Sequence, residues 1–367
     1  MPESEYKLDT ANSAKERITL RHFKKVNNPR SIHGIYPYRG KMSAIDASHV
    51  ISQLSIGSTL LDPFCGTGTI VYEAQIHGMN AIGVDNNPLA CVVASGKTQP
   101  IDKVSTLSDL DTAINEAQSL SNVPCMPDTP AQFFHEDTAD QIMRVQAVSR
   151  NFSPYLLSSF YGSMCLAARA CNQWLWTSTS IGKINTPLKR VDFYSMLQRK
   201  TRKHIDYVQG TPPAQVYAYD VRKIEDVVPP KSIDFVYTSP PYFDALDYTG
   251  YYTKIVMDII EMDRSLVRNG LIQRYSTYKR EMKRALNAID RVLHEKSMII
   301  FVVGDRMVHG KFIRGSDLFK EIAPWKEPYI VEREYTNTAS SLWDKINMTT
   351  RKEQVIVWDL SQGGRKQ

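Results

Sequence analysis

Leu60-Leu61-Asp62-Pro63-Phe64-Cys65-Gly66-Thr67-Gly68-Thr69-Ile70 reads as an apolar strand that ends in an acid, passes through a glycine-rich turn and enters an amphipathic helix over Val71 to His77. Glycines at 66 and 68 let the backbone approach a ligand, and the first amides of the helix can point at a carboxylate. A second strand, Asn80-Ala81-Ile82-Gly83-Val84, ends in Asp85 at the separation expected of an acid that grips ribose hydroxyls. Asp62 and Asp85 together fit one small adenosine-containing molecule. The chain lacks Gly-x-x-x-x-Gly-Lys-Ser/Thr, which argues against a phosphate loop, and the turn lacks the third glycine of a dinucleotide fingerprint. S-adenosyl-L-methionine fits better.

A second motif follows another apolar run. Ile233-Asp234-Phe235-Val236-Tyr237 reads as a buried strand, and Thr238-Ser239-Pro240-Pro241-Tyr242 follows it. Two prolines fix φ and remove two backbone donors, so the segment must leave the strand as a stiff loop with its carbonyls free to accept. Ser239 adds an acceptor and Tyr242 a flat apolar face, a combination suited to a planar ring that bears an exocyclic amine. A plain proline turn at a strand end is the bland alternative.

The Asp62-to-Thr69 turn, Gly83-Val84-Asp85-Asn86-Asn87-Pro88 and Thr238-to-Tyr242, in that order, resemble the amino-methylating DNA methyltransferases of restriction-modification systems. Ile32-His33-Gly34-Ile35-Tyr36-Pro37-Tyr38-Arg39-Gly40-Lys41-Met42 is similar to the family segment that precedes the glycine loop and touches the methionine end of the cofactor. The likeness covers roughly residues 30–100 and 215–360. It implies an α/β, Rossmann-like, mostly parallel sheet of seven strands with a reversed hairpin at one edge. It also implies S-adenosyl-L-methionine as cofactor, DNA as substrate and a cognate restriction endonuclease as a companion. The cofactor residues it implies are Tyr38, Lys41, Asp62, Pro63, Phe64, Gly66, Gly68, Thr69, Asp85 and Asn86. Ser239, Pro240, Pro241 and Tyr242 become the catalytic candidates. Asp220 ends a short strand, Val216 to Tyr219, and in the family this position lies near the cofactor adenine; a helix-capping acid is the competing reading.

Within that resemblance, the base must leave the duplex stack to present its amine. Tyr242 would stack on it, while Ser239 and the Pro240 carbonyl accept the amino hydrogens. Carbon-5 methylation needs a thiolate on a different motif, and Pro124-Cys125 does not supply it. Serine before Pro-Pro-Tyr is commoner in the cytosine-N4 enzymes of the resembled families, and aspartate or asparagine in the adenine-N6 enzymes, so Ser239 favours cytosine N4 with adenine N6 as the alternative. RNA guanine-N2 methylation fits less well. A noncatalytic DNA-binding module is the reading from outside enzymology.

Between the two halves the βαβ rhythm stops. Asp102 to Leu120 and Gln141 to Trp176 read as helices, so residues 101–210 are expected to form a mainly helical insertion, with the catalytic domain at 31–100 and 211–360. Lys189, Arg190, Arg199, Lys200, Arg202 and Lys203, interleaved with Phe193, Tyr194 and Tyr207, are the DNA-binding candidates: cations neutralise phosphates and rings stack on unpaired bases. A helical lid with a solvated basic face is the equal alternative. Residues 1–30 read as a polar arm.

Composition bounds these readings without choosing among them. At 367 residues the chain can bury a large core, and 42% hydrophobic with 23% charged residues is ordinary for a globular protein, against wholesale disorder. Lys and Arg outnumber Asp and Glu by 45 to 39, an excess that permits a polyanionic partner and does not demand one. Five cysteines without paired spacing suggest reduced thiols in a cytoplasmic protein and supply no Cys-x-x-Cys metal set. The polar amino terminus lacks the apolar core of a signal peptide, and no run reaches membrane-spanning length.

Overall fold

Short runs of β-branched and aliphatic residues bounded by turn residues give the strands, and their burial on both faces dictates a sheet covered by helices on each side. The computed structural model describes residues 18, 31–38, 42–175, 183–208, 210–212, 214–241, 247–308, 311–335, 351–362 and 364–366. The strands are β1 (Thr59–Asp62), β2 (Asn80–Asp85), β3 (Gln215–Ala218), β4 (Ile233–Thr238), β5 (Leu293–Gly304), β6 (Arg306–Val308), β7 (Lys311–Ile313), β8 (Tyr329–Tyr335) and β9 (Arg351–Asp359). Seven form one sheet in the order β3-β2-β1-β4-β5-β9-β8, while β6 and β7 pair separately as an antiparallel ribbon.

From β3 to β5 every pairing is parallel, and β9 runs antiparallel to both β5 and β8, so the sheet is the seven-stranded, mostly parallel one with a reversed edge hairpin that the sequence resemblance implied. The hairpin is held by a cluster of edge-to-face rings: Trp358 lies 5.2 Å from Trp325 and 5.6 Å from Phe301 between centroids. Chain order runs outward from β1 to β3 and returns to β4 beside β1. The carboxyl ends of β1 and β4 therefore flank the point where strand order reverses, which is where open α/β sheets form a ligand crevice.

The helices are α1 (Ala44–Ile51), α2 (Thr69–Ile76), α3 (Pro88–Thr98), α4 (Lys103–Ser119), α5 (Asp128–Ala131), α6 (Glu136–Val148), α7 (Pro154–Cys171), α8 (Phe193–His204), α9 (Tyr252–Ile259), α10 (Arg264–Gly270), α11 (Tyr275–Val292) and α12 (Gly315–Ile322). Alternation along the strands sorts the core into two layers. Leu60, Tyr237 and Ile300 pack with Ala47 of α1 and Val71 of α2, while Leu61, Val236 and Ile299 pack with α11 and α12. Helix α11 buries Tyr278, Met282, Ala285, Leu286, Ile289 and Val292, a stripe at helical spacing.

Helices α4 to α8 occupy residues 103–204 and pack Leu110, Ile142, Phe160, Met164 and Phe193 against Leu89 and Val93 of α3. The single helical run expected over Gln141 to Trp176 is instead broken. Val148 ends α6, Ser153 caps α7 through the Leu156 amide, and Pro154 sits in the first turn, where its missing donor costs nothing. Trp176 lies outside the described residues, as does the expected amino-terminal arm except for Ile18. No described helix is long and apolar enough to cross a membrane.

Candidate active site

A cavity open to solvent sits over the carboxyl ends of β1 and β4. Its lining includes Tyr38, Asp62, Pro63, Phe64, Gly66, Thr69, Asp85, Asn86 and Asp220 together with Ser239, Pro240 and Pro241. The glycine turn and the Ser-Pro-Pro loop thus share one space. Lys41 and Tyr242 lie outside the described residues. Gly68 is not part of the wall; it caps α2 at φ 69°, and a Cβ there would meet the Ala94 Cβ at 2.7 Å, so it seats the turn on α3.

The two acids shape the turn as well as facing the cavity. Asp85 Oδ2 accepts from the Gly66 amide at 2.9 Å and Oδ1 from the Asn87 amide at 2.8 Å, which binds the glycine turn to the tip of β2. Each oxygen keeps a lone pair for a further donor. Asp62 Oδ1 accepts from the Thr238 hydroxyl at 2.6 Å and from the Phe64 amide at 3.3 Å, so both recorded bonds fall on one oxygen. Burial pushes the Asp62 carboxyl up to about 7, opposed by those two donors and assisted by the nearby Asp85 charge. Burial likewise raises Asp85, against its two backbone donors.

Asp220 has two places in the structure. It caps the short helical turn Val221–Asp226 through the Arg222 amide, and it lines the cavity. The Arg222 guanidinium grips both Asp220 oxygens and reaches Glu281 at 2.7 Å; although burial raises the Asp220 carboxyl, these partners bring it below the usual range.

Several wall residues were either quoted within the sequence motifs without a role, as Met42, Cys65 and Thr67 were, or not read at all. Met42, Cys65, Thr67, Val221, Tyr248 and the Gly270-Leu271-Ile272 segment close the cavity. Tyr248 stacks on Tyr38 with centroids 6.5 Å apart, and Arg264 pins its loop by donating to the Thr249 carbonyl at 2.8 Å and to Asp247. The Ser-Pro-Pro loop has an outside brace: Tyr278 donates to the Pro241 carbonyl at 2.6 Å, so that carbonyl is engaged while the Pro240 carbonyl has no such brace among the described residues. No flanking periodicity announces these contacts; only tertiary folding creates them.

The cavity fits an adenosine-bearing amino acid. It offers three carboxylates, Asp62, Asp85 and the Arg222-paired Asp220, for hydroxyls, an amine or a cationic centre, aromatic walls at Tyr38, Phe64 and Tyr248, and a buried Thr67 hydroxyl with no partner among the described residues.

The six basic candidates sit on α8 or just before it and differ in surroundings. Lys189, Arg199 and Lys203 are exposed, Arg190 pairs with Asp137 at 3.0 Å and Arg202 with Asp111 at 3.5 Å. Lys200 turns inward to the Gly34 carbonyl at 3.3 Å, and burial brings its ammonium down to about 8.

Comparison with known proteins supports the amino-methylating resemblance and, between its two acceptors, adenine N6 rather than the favoured cytosine N4. The family model for D12 class N6 adenine-specific DNA methyltransferases matches residues 47–295. The type II methyltransferase M.MjaII of Methanocaldococcus jannaschii is 34% identical over 74 residues, 20% of this chain and 14% of that protein. M.MvaI of Kocuria varians, also a type II methyltransferase, is 43% identical over 60 residues, 16% of this chain and 13% of that protein. The matches therefore span well under a fifth of the length of these curated relatives. A solved SAM-dependent methyltransferase from Methanosarcina mazei aligns over 83% of this chain and 93% of its own at 11% identity and a TM-score of 0.33, a likeness too slight to bear an argument.

Proposed function

Because this chain belongs to the family of D12 class N6 adenine-specific DNA methyltransferases, we propose that it transfers a methyl group from S-adenosyl-L-methionine to the exocyclic amine of a base in DNA, with adenine N6 as the acceptor. The observation that carries the proposal is the shared cavity: the Asp62-to-Thr69 turn and the Ser239-to-Pro241 loop face one space at the β1/β4 switch point. When bound, S-adenosyl-L-methionine supplies an electrophilic methyl group on a sulfonium. The chain's own residues then have three tasks.

Asp85 and the glycine turn orient the adenosine end, and Asp220 can accept from the ring amine. Asp62, buried beside them, favours a ligand with cationic centres. Ser239 and the Pro240 carbonyl accept hydrogens from the target amine, which favours a more pyramidal nitrogen with its lone pair available for in-line attack. Positioning supplies much of the rate enhancement, and acceptors aimed at the developing positive nitrogen supply more. An aromatic ring at Tyr242 would stack on the extruded base and offset part of its unpairing, which costs about a few kcal/mol. A restriction endonuclease acting on the same site is the companion this reading implies.

A second reading rests on one residue. Ser239, where the resembled adenine enzymes more often have an acid or its amide, favours cytosine N4 as the acceptor. Incubation with tritiated S-adenosyl-L-methionine and unmethylated DNA, then digestion to nucleosides, separates the two. Labelled N6-methyladenine is expected, N4-methylcytosine selects the second reading, and a wild-type protein that labels no nucleoside on any DNA overturns both.

A further inference from the structure

Helix α3 supports the glycine turn with two residues one turn apart on the same face. Ala94 meets Gly68, and Lys97, only 1% exposed, donates from Nζ to the Thr67 carbonyl at 2.5 Å. On the other side of the same peptide, the Gly68 amide donates to the Cys65 carbonyl at 2.8 Å. The Thr67-Gly68 peptide is therefore fixed at both ends, its carbonyl held by an ammonium that is not part of the cavity wall. Thr67 itself lines the cavity, and its hydroxyl, on a residue 2% exposed, has no hydrogen-bond partner among the described residues. Next to it begins α2, whose N-cap, Gly68, makes no side-chain bond to the first amides. An orphaned buried hydroxyl, uncapped helix amides and a buried ammonium behind them make a site for an anion.

We propose that Lys97 is a positioning residue for the amino-acid end of the cofactor: from beneath the turn it holds the Thr67 peptide back, so that the Thr67 hydroxyl and the first α2 amides receive the ligand carboxylate. The inference rests on the cofactor reading above and adds a residue from outside the cavity wall. An ammonium withdrawn from water is costly, and its field in that dry layer reaches an anion across one peptide. A neutral side chain of the same shape could hold the packing without the field or the hydrogen bond.

The test compares two ligands by calorimetry. S-adenosylhomocysteine carries the carboxylate, whereas 5′-deoxy-5′-methylthioadenosine lacks the whole amino-acid end. Lys97→Met should weaken the first by about tenfold, the loss of one charge-assisted contact, and change the second by less than about twofold. Thr67→Val should show the same selectivity. Equal losses for both ligands would mark a merely structural role and overturn the proposal, and so would unchanged affinity for S-adenosylhomocysteine. Should Lys97→Met not fold, Thr67→Val decides by the same criterion. A wild-type chain that binds neither ligand overturns the cofactor reading itself, and this inference with it.

Discussion

The Thr238 hydroxyl donates to Asp62 Oδ1 at 2.6 Å, joining the last residue of β4 to the last residue of β1 across 176 positions of sequence. Both residues are buried, and the two strands pair in parallel just below them. This bond sets the distance between the glycine turn, which follows Asp62, and the Ser-Pro-Pro loop, which follows Thr238. Replacing Thr238 by valine keeps the shape and removes the donor, leaving a buried carboxylate short of a partner. It is expected to cost about 1–3 kcal/mol of stability and to lower turnover, whereas Thr238→Ser should restore both. Urea melts read the first and labelling rates the second. A valine variant with wild-type stability and turnover would remove this bond from the account.

Asp62 also gives the ligand-free protein a pH signature. Burial raises its carboxyl from the model-peptide value of 3.8 to about 7, so between those values the folded state holds a proton that the unfolded chain has released. The folded state binds more protons there, and stability must fall as pH rises through that window. The drop is on the order of a few kcal/mol at most, and Asp85, raised in the same direction, adds to it. Asp62→Asn keeps the Oδ1 acceptor for Thr238 and Phe64. It should flatten the slope and melt higher than wild type at pH 8, while binding S-adenosyl-L-methionine more weakly. Stability that rises between pH 4 and pH 7 in wild type, relative to the variant, would contradict the assignment.

The strand tips were legible in the sequence because each announces itself locally. An apolar run, an acid and a glycine or proline break coincide at Asp62, Asp85 and Thr238, and the structure brings the adjoining turn and loop to one cavity. The far wall was not legible. Tyr248 lies in a connection and Gly270 to Ile272 at and just past the end of α10, without periodicity, and their place depends on Arg264 reaching back to Asp247 and Arg222 reaching the Gly270 carbonyl. Lys97 gave no signal either, since a lysine near the end of a helix ordinarily reads as a solvated charge favoured by the helix dipole. The break in βαβ rhythm after α3 was readable, but how the cations of that stretch are disposed depends on pairing, as the inward turn of Lys200 and the Arg190–Asp137 bridge illustrate.

The two glycines of the turn should fail differently when given a side chain. Both have positive φ, 49° at Gly66 and 69° at Gly68, which costs an L-residue about 1–2 kcal/mol. A Cβ at Gly68 would also lie 2.7 Å from the Ala94 Cβ, on a helix that cannot move aside, and such overpacking adds about 1–3 kcal/mol. At Gly66 the nearest atom is a ring carbon of half-buried Tyr38 at 3.1 Å, which can yield. Gly68→Ala should therefore lose more stability than Gly66→Ala in denaturant titrations. Gly66→Ala, whose methyl borders the cavity wall, should lose cofactor affinity out of proportion to its stability. Equal midpoints for the two variants would show that α3 is not the rigid seat described.

Tyr278 tests whether the Ser-Pro-Pro loop works by being held still. Two prolines stiffen the loop internally but remove two of its amides as anchors, so much of its orientation must come from outside. Tyr278 supplies an anchor from the first turn of α11, where its hydroxyl donates to the Pro241 carbonyl at 2.6 Å. The ring is 3% exposed and packs in the layer between α11 and the sheet, so Tyr278→Phe keeps the packing and deletes one hydrogen bond. That bond is worth about 1 kcal/mol to the loop's orientation, and misplacement of reacting groups is penalised steeply. Turnover is expected to fall by roughly three- to tenfold. The dissociation constant of S-adenosyl-L-methionine should stay within about twofold, because the Asp85 and glycine-turn contacts are untouched. Parallel titration and single-turnover labelling separate the two quantities. A variant that loses cofactor affinity in step with turnover would place Tyr278 in the general packing of the cavity and leave the loop's alignment to other contacts.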